Sequence, residues 1–96
     1  MEELVSNTFA LDFTIADAFG IDAVKDTYNR AFKEWKHDYK MLTALVVTLN
    51  HKIWEHYKAE NHAYAQVYND LWEQAQDYAW NNLKGDELKY YYDITD

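Results

Sequence analysis

Apolar residues recur with helical spacing through most of this chain. In the first such segment they fall within an arc of about 100° on a helical wheel. They are Ile21, Val24, Tyr28, Ala31, Phe32 and Trp35. On the opposite face Asp26, Arg30 and Glu34 follow one another at i,i+4 steps, which is typical of a solvated surface. The pattern predicts an amphipathic helix that begins near Asp22, with that residue as cap or first-turn acid.

A second helix is predicted from about Asp38 to Lys58. Its apolar stripe consists of Leu42, Leu45, Val46, Leu49, Ile53 and Tyr57, and it is widened by Thr43, Val47 and Trp54. The apolar arc therefore exceeds half of the circumference. Because a helix this apolar must be covered on two sides, we expect it to be the central element of the fold.

A third helix is predicted from about His62 to Leu83. One face is apolar and the other carries amides and acids, as in an amphipathic surface helix. Lys84 and Gly85 follow it, and we expect them to form a helix C-terminus with a left-handed glycine cap.

The two ends of the chain are harder to assign. Leu11, Phe13 and Ile15 alternate like a short strand, but a single strand would have no pairing partner. We therefore predict a short helix over Thr14–Phe19 that is closed by Gly20. At the other end, Asp86 and Glu87 are typical of a new N-cap and first turn, so a short last helix should follow.

Turn-forming residues are scarce, with no proline and two glycines in 96 residues. Sandwiches and barrels need many turns with special backbone angles, whereas helical bundles need few. The predicted fold class is all-α: a small three-helix bundle with short helical or irregular capping segments at both ends. We expect residues 1–96 to form a single helical domain.

The formal net charge of −8 is concentrated at the two ends. Residues 1–24 contain five acidic residues and no lysine or arginine, and residues 85–96 contain four acidic residues and one lysine. The eight acidic and eight basic residues between them cancel. Such a molecule repels phosphate and attracts basic surfaces, so we expect a protein partner with a basic surface and no direct nucleic-acid binding.

Several classes of function are disfavoured by composition. The chain has no cysteine, which excludes disulfides, thiolate zinc sites and a cysteine nucleophile. No window approaches the roughly 20 apolar residues of a membrane span, and the start Met-Glu-Glu does not resemble a secretory signal. We therefore expect a cytoplasmic protein with no membrane association.

The polar residues form no recognisable catalytic or metal-binding pattern. His51, Glu55, His56 and His62 are close in sequence, but no pair of histidines has the i,i+4 spacing of a helical zinc signature. No serine or threonine lies in a nucleophile elbow, and no glycine-rich loop could bind phosphate. We predict no catalytic residues, no metal site, no cofactor and no enzymatic activity.

Aromatic residues make up 18% of the chain, and several cannot all point into one core. Trp80 falls on the polar side of its helix, so it either packs against a terminal segment or serves as an interface anchor, because tryptophan and tyrosine dominate binding hot spots. The candidate partner-binding residues are Trp54, Trp80, Tyr90, Tyr91 and Tyr92, together with the acidic Asp86, Glu87 and Asp93.

Two stretches resemble small proteins encoded on phages and conjugative elements of gut anaerobes. They are residues 13–36, FTIADAFGIDAVKDTYNRAFKEWK, and the segment from Leu71-Trp-Glu to Asn82-Leu-Lys-Gly-Asp-Glu-Leu. The resemblance covers most of the chain and carries over no functional residue. It implies an accessory protein of a mobile element, a class whose small acidic members often inhibit host defence or nucleic-acid-binding machinery.

Taken together, these features favour a non-catalytic acidic protein that acts by protein-protein association. An inhibitor of a host defence or nucleic-acid-binding protein is one form that such a function could take. The alternative is a homo-oligomeric structural accessory protein that uses its tryptophan and tyrosine surface for self-association.

Overall fold

A computed structural model describes the backbone of residues 2–95 and the side chains of residues 9–95. In this part of the chain five α-helices follow one another without a strand. They are α1 (Glu2–Phe19), α2 (Ile21–Trp35), α3 (Tyr39–Lys58), α4 (His62–Asn82) and α5 (Asp86–Thr95). The prediction of an all-α fold is confirmed.

The three helices expected from periodicity are α2, α3 and α4. Helix α2 begins within about a residue of its predicted start, and α3 and α4 begin and end within about a residue of their predicted bounds. The short last helix expected after Asp86 and Glu87 is confirmed as α5, whereas the N-terminal capping segment differs from its prediction. The N-terminal segment was predicted to be helical only over Thr14–Phe19, yet α1 has 18 residues. Phe9, Phe13 and Ala16 lie on one face of α1 and are buried in the core, which explains why the helix extends back beyond Thr14. Over residues 2–95 the bundle therefore contains five helices, because α1 is a full-length helix and not a short cap.

Helix α3 is the central element, as its broad apolar arc predicted. Leu42, Leu45 and Leu49 are fully buried along it. Helices α1, α2, α4 and α5 all pack against α3. Asp38 caps its first turn and accepts hydrogen bonds from the backbone N–H groups of Lys40 (3.1 Å) and Met41 (3.2 Å).

The two glycines mark helix boundaries. Gly20 ends α1 by donating its N–H to the carbonyl of Ala16 (3.1 Å), and its own carbonyl accepts the first bond of α2 from Val24 (3.2 Å). Gly85 was expected to cap α4, and that assignment is wrong because Leu83 already ends α4 in an extended conformation. Gly85 has a φ of +57° and instead starts α5, accepting from the N–H of Lys89 (3.0 Å).

Candidate protein-binding surface

A groove of about 360 Å³ lies where α3, α4 and α5 meet, and we call it the aromatic groove. Helix α4 supplies Trp72, Gln76 and Trp80, which succeed one another at i,i+4 along one face. The other lining residues are Val46, Val47, Asn50, His51, Tyr91, Tyr92, Ile94 and Thr95. The groove combines aromatic rings with amide, imidazole and hydroxyl groups, and of the residues that the structure describes no Asp, Glu, Lys or Arg lines it.

Three of the sequence-predicted anchors meet in the aromatic groove. Trp80 is 51% exposed and Tyr92 is 44% exposed, so both present ring surface to solvent. Tyr91 lies beneath them in the core, only 1% exposed, and its hydroxyl donates to Oε1 of Gln76 (3.3 Å). The expectation that Tyr91 is a partner-binding anchor is therefore corrected: α5 turns that side chain inwards to hold the helix on the bundle.

The other two predicted anchors lie elsewhere. Tyr90 is half-buried and packs edge-on against Tyr39, with 5.3 Å between ring centroids. Trp54 is 58% exposed on α3, its ring 5.8 Å from that of Tyr57, and it lines no part of the aromatic groove. The structure thus brings Trp80 and Tyr92 together and leaves Trp54 as a separate exposed aromatic residue.

The acidic candidates all lie on α5 and are exposed. Asp86 and Glu87 occupy its first turn, where a negative charge is favourable beside the positive end of the helix dipole. The carboxylate of Asp93 lies 3.1 Å from the ammonium of Lys89 in an exposed i,i+4 pair. The helix that supplies Tyr92 to the aromatic groove is therefore itself acidic.

A buried polar network centred on Asp17 joins α1 to α3 and α4. Its Oδ2 atom lies 2.6 Å from Nζ of Lys52 and 3.0 Å from Nε2 of His56. Its Oδ1 atom accepts a hydrogen bond of 2.6 Å from the hydroxyl of Tyr68, and its backbone carbonyl accepts one of 3.2 Å from Tyr64. Both carboxylate oxygens of Asp17 therefore have partners within the protein. The network holds the fold together and leaves little hydrogen-bonding capacity for a substrate.

Burial and hydrogen bonding oppose each other at Lys52. The side chain is 4% exposed, and burial alone lowers the pKa of an ammonium. Hydrogen bonds to Asp17 and Glu55 outweigh that effect and raise the Lys52 pKa above its ordinary value. Burial, followed by the hydrogen bond to Asp17, also raises the pKa of Tyr68 far above its ordinary value. Lys52 is thus held as a cation and Tyr68 as a neutral donor at neutral pH.

The same cluster contains three potential metal ligands. One donor atom each from Asp17, Glu55 and His56 lies within 4.8 Å of the others. The Lys52 ammonium already lies 2.6 Å from both carboxylates and supplies the positive charge that the cluster needs. The four residues considered from the sequence are not brought together, since His51 lines the aromatic groove while His56 faces Asp17.

Sequence reasoning missed an exposed apolar row on α1, which we call the α1 stripe. Leu11, Ile15 and Phe19 are spaced four residues apart and are 65%, 51% and 80% exposed. The signal was the i,i+4,i+8 spacing, which was masked by the apparent strand alternation of Leu11, Phe13 and Ile15. In the helix Phe13 points into the core, away from the other two.

Among the described residues, no helix combines the length and the apolar character that crossing a bilayer requires. Comparisons with known proteins find no matching family model, no matching curated protein and no matching solved structure.

Proposed function

We propose that this protein is a non-catalytic binding protein that associates with a basic surface of another protein through the aromatic groove. One observation carries the proposal: Trp80 and Tyr92 expose their rings along a single groove of about 360 Å³. Tryptophan and tyrosine are the residues most enriched at binding hot spots, because a rigid ring supplies much contact area at a small entropic cost.

The charge distribution supports a basic partner. With a net charge of −8, the chain attracts cations and repels nucleic acid. A nucleic-acid-binding host protein is a suitable partner, since its phosphate-binding surface is positive. Inhibition by occupying such a surface agrees with the resemblance to small acidic proteins of mobile elements. Direct binding of DNA or RNA at physiological salt would contradict the proposal.

The experiment is affinity capture from a bacterial host with matched tryptophan variants, followed by binding kinetics on the recovered partner. Trp80→Ala should accelerate dissociation, whereas Trp54→Ala removes a similarly exposed tryptophan outside the groove and should have no effect. Neutralising Asp86, Glu87 and Asp93 to amides should slow association, and affinity should fall as salt shortens the Debye length from about 10 Å at 0.1 M to about 3 Å at 1 M.

The outcome also separates this function from its alternative. A partner that binds wild type and the Trp80→Ala variant equally, without dependence on salt, would contradict recognition by this groove. Light scattering that finds a stable oligomer, dissociated by Trp80→Ala, would instead favour the homo-oligomeric accessory protein.

A further inference from the structure

A second groove, of about 370 Å³, runs between α1 and α2, and it shares no lining residue with the aromatic groove. We call it the acidic groove. Ile15 and Phe19 of the α1 stripe form part of its wall. Alanines at 16, 23 and 31 also line it, so their short side chains leave room for another chain to come close to both helices.

The α1 stripe is a helix face that none of the described side chains, those of residues 9–95, covers. Soluble helices normally turn such an i,i+4,i+8 row towards a core, and Phe19 at 80% exposure is the most exposed of the large apolar residues among those described. Isolated apolar residues on a surface are ordinary, but a contiguous row beside a groove is typical of an interaction site.

The charges around the acidic groove specify what can occupy it. Asp12, Asp26 and Glu34 line it, and Arg30 is the sole cation among the described residues that do so. That guanidinium is already engaged, with its Nε atom 3.1 Å from a carboxylate oxygen of Asp26. The groove therefore retains an excess of negative charge on both sides, from Asp12 on α1 and Glu34 on α2.

A second copy of this chain fits these charges poorly. In a two-fold dimer the same patch meets itself, so the excess of acidic residues lining the groove on one copy would face the same excess on the other. Juxtaposed like charges are unfavourable and act against such pairing. A partner that presents apolar side chains flanked by lysine or arginine satisfies both the α1 stripe and the acidic residues beside it.

We propose that the acidic groove binds one basic amphipathic α-helix of a partner protein. The apolar face of that helix covers Ile15 and Phe19, while its flanking lysine or arginine side chains reach Asp12 and Glu34. The inference rests on the proposed function in that it assumes a protein-binding role, but it assigns the helix to a different surface from the aromatic groove.

The test uses a fluorescein-labelled synthetic peptide of leucine and lysine whose sequence forms an amphipathic helix. Two control peptides are used. The first has the same composition in an order that does not place leucine and lysine on separate faces, and the second is the amphipathic sequence with glutamate in place of lysine. Fluorescence anisotropy with the full chain should show binding of the amphipathic basic peptide about tenfold tighter than of either control.

Variants then locate the site. Ile15→Ser and Phe19→Ser alter exposed side chains, so circular dichroism should show an intact fold, and each should weaken binding by about tenfold. The pair Asp12→Asn and Glu34→Gln should weaken binding at low salt and flatten its salt dependence. Trp80→Ala should leave the peptide affinity unchanged, because Trp80 lies on the other groove.

Three results would overturn the inference. One is equal binding of all three peptides, and another is unchanged binding by the Phe19→Ser variant. The third is a dimer, detected by light scattering, that Phe19→Ser dissociates, because it would show that the occupant is a second copy. None of these affects the test at Trp80, so failure here is distinguishable from failure of the proposed function.

Discussion

At the scale of single residues, Asp17 joins α1 to both α3 and α4 through polar contacts. Its carboxylate contacts Lys52 and His56 of α3 and accepts a hydrogen bond from Tyr68 of α4. Lys52 is buried at a position three residues after Leu49 on the apolar stripe of α3, where sequence periodicity would place an apolar residue. A buried charge is tolerated only when it is paired, so this lysine implied an acidic partner somewhere in the chain.

The identity of that partner could not be read from the sequence. Asp17 is far from Lys52 along the chain and lies on a helix whose length was underestimated. A helical wheel shows which residues of one helix share a face, but it does not show which faces of two helices meet. The interior apolar residues of α3 were therefore predictable, whereas the ion pair that crosses from α1 was not.

Replacing Asp17 by alanine should destabilise the fold strongly. The Lys52 ammonium would remain buried with Glu55 as its acidic partner, and Tyr68 would lose the acceptor of its shortest hydrogen bond. Removing one member of a buried ion pair costs about 3–5 kcal/mol when the other charge is left unpaired, and because Lys52 retains Glu55 we expect a loss at the lower end of that range. Urea denaturation followed by circular dichroism measures the free energy of unfolding.

The matched control for Asp17→Ala is Asp12→Ala on the same helix. Asp12 is exposed and faces the acidic groove, so its replacement should change the free energy of unfolding by no more than about 0.5 kcal/mol. Equal effects of the two substitutions would show that the buried network does not hold α1 on the bundle.

At the scale of elements, the helix boundaries depend on two glycines in different backbone conformations. Gly20 has a φ of +115° with a ψ of 176°, in a region that is essentially restricted to glycine. Gly85 has a φ of +57°, in the left-handed helical region that other residues enter at a smaller cost. No heavy atom outside the immediate chain lies within 4 Å of a Cβ placed at either position.

Gly20→Ala should therefore destabilise the protein more than Gly85→Ala. Because neither methyl group would clash, the difference reports backbone conformation alone. We expect about 1–3 kcal/mol for Gly20→Ala and about 1 kcal/mol for Gly85→Ala. Chemical denaturation of the two variants checks the order. A larger loss for Gly85→Ala would contradict the assigned backbone angles of the α1–α2 junction.

The elements were predictable to different degrees for a physical reason. Helices α2, α3 and α4 have long apolar stripes, and each stripe alone fixes the helical period. Helix α1 is apolar on two faces, because Phe9 and Phe13 enter the core while Leu11, Ile15 and Phe19 form the exposed α1 stripe. Apolar residues on two faces do not show a single helical period. The full length of α1 and its exposed stripe were therefore both missed.

At the scale of the whole molecule, the core is rich in tyrosine. Tyr28, Tyr68 and Tyr91 are buried within the same apolar cluster as the leucines of α3. Burial raises the pKa of Tyr28 to about 12 and, with a smaller contribution from Tyr92, that of Tyr91 to about 12. Tyr68 and Lys52 are shifted in the same direction. These four residues lie on α2, α3, α4 and α5, and their titration makes the free energy of unfolding depend on pH in the alkaline range.

The linkage should make the fold sensitive to alkali above pH 10. In the unfolded chain a tyrosine loses its proton near its ordinary pKa of 10.0, whereas Tyr28 and Tyr91 keep theirs in the folded state until about pH 12. The folded state binds more protons in that interval, so the free energy of unfolding should fall as pH rises. The stabilising contribution is complete below pH 10 and is lost as the folded pKa is passed.

Urea midpoints at about pH 8, 10 and 11, with tyrosinate absorbance recorded in parallel, measure this loss of stability. Tyr28→Phe removes one of these groups and should reduce it, whereas Tyr57→Phe changes an exposed ring and should not. A urea midpoint that stays constant from pH 8 to 11 would show that these tyrosines lose their protons equally readily in both states, and would contradict their burial in the core.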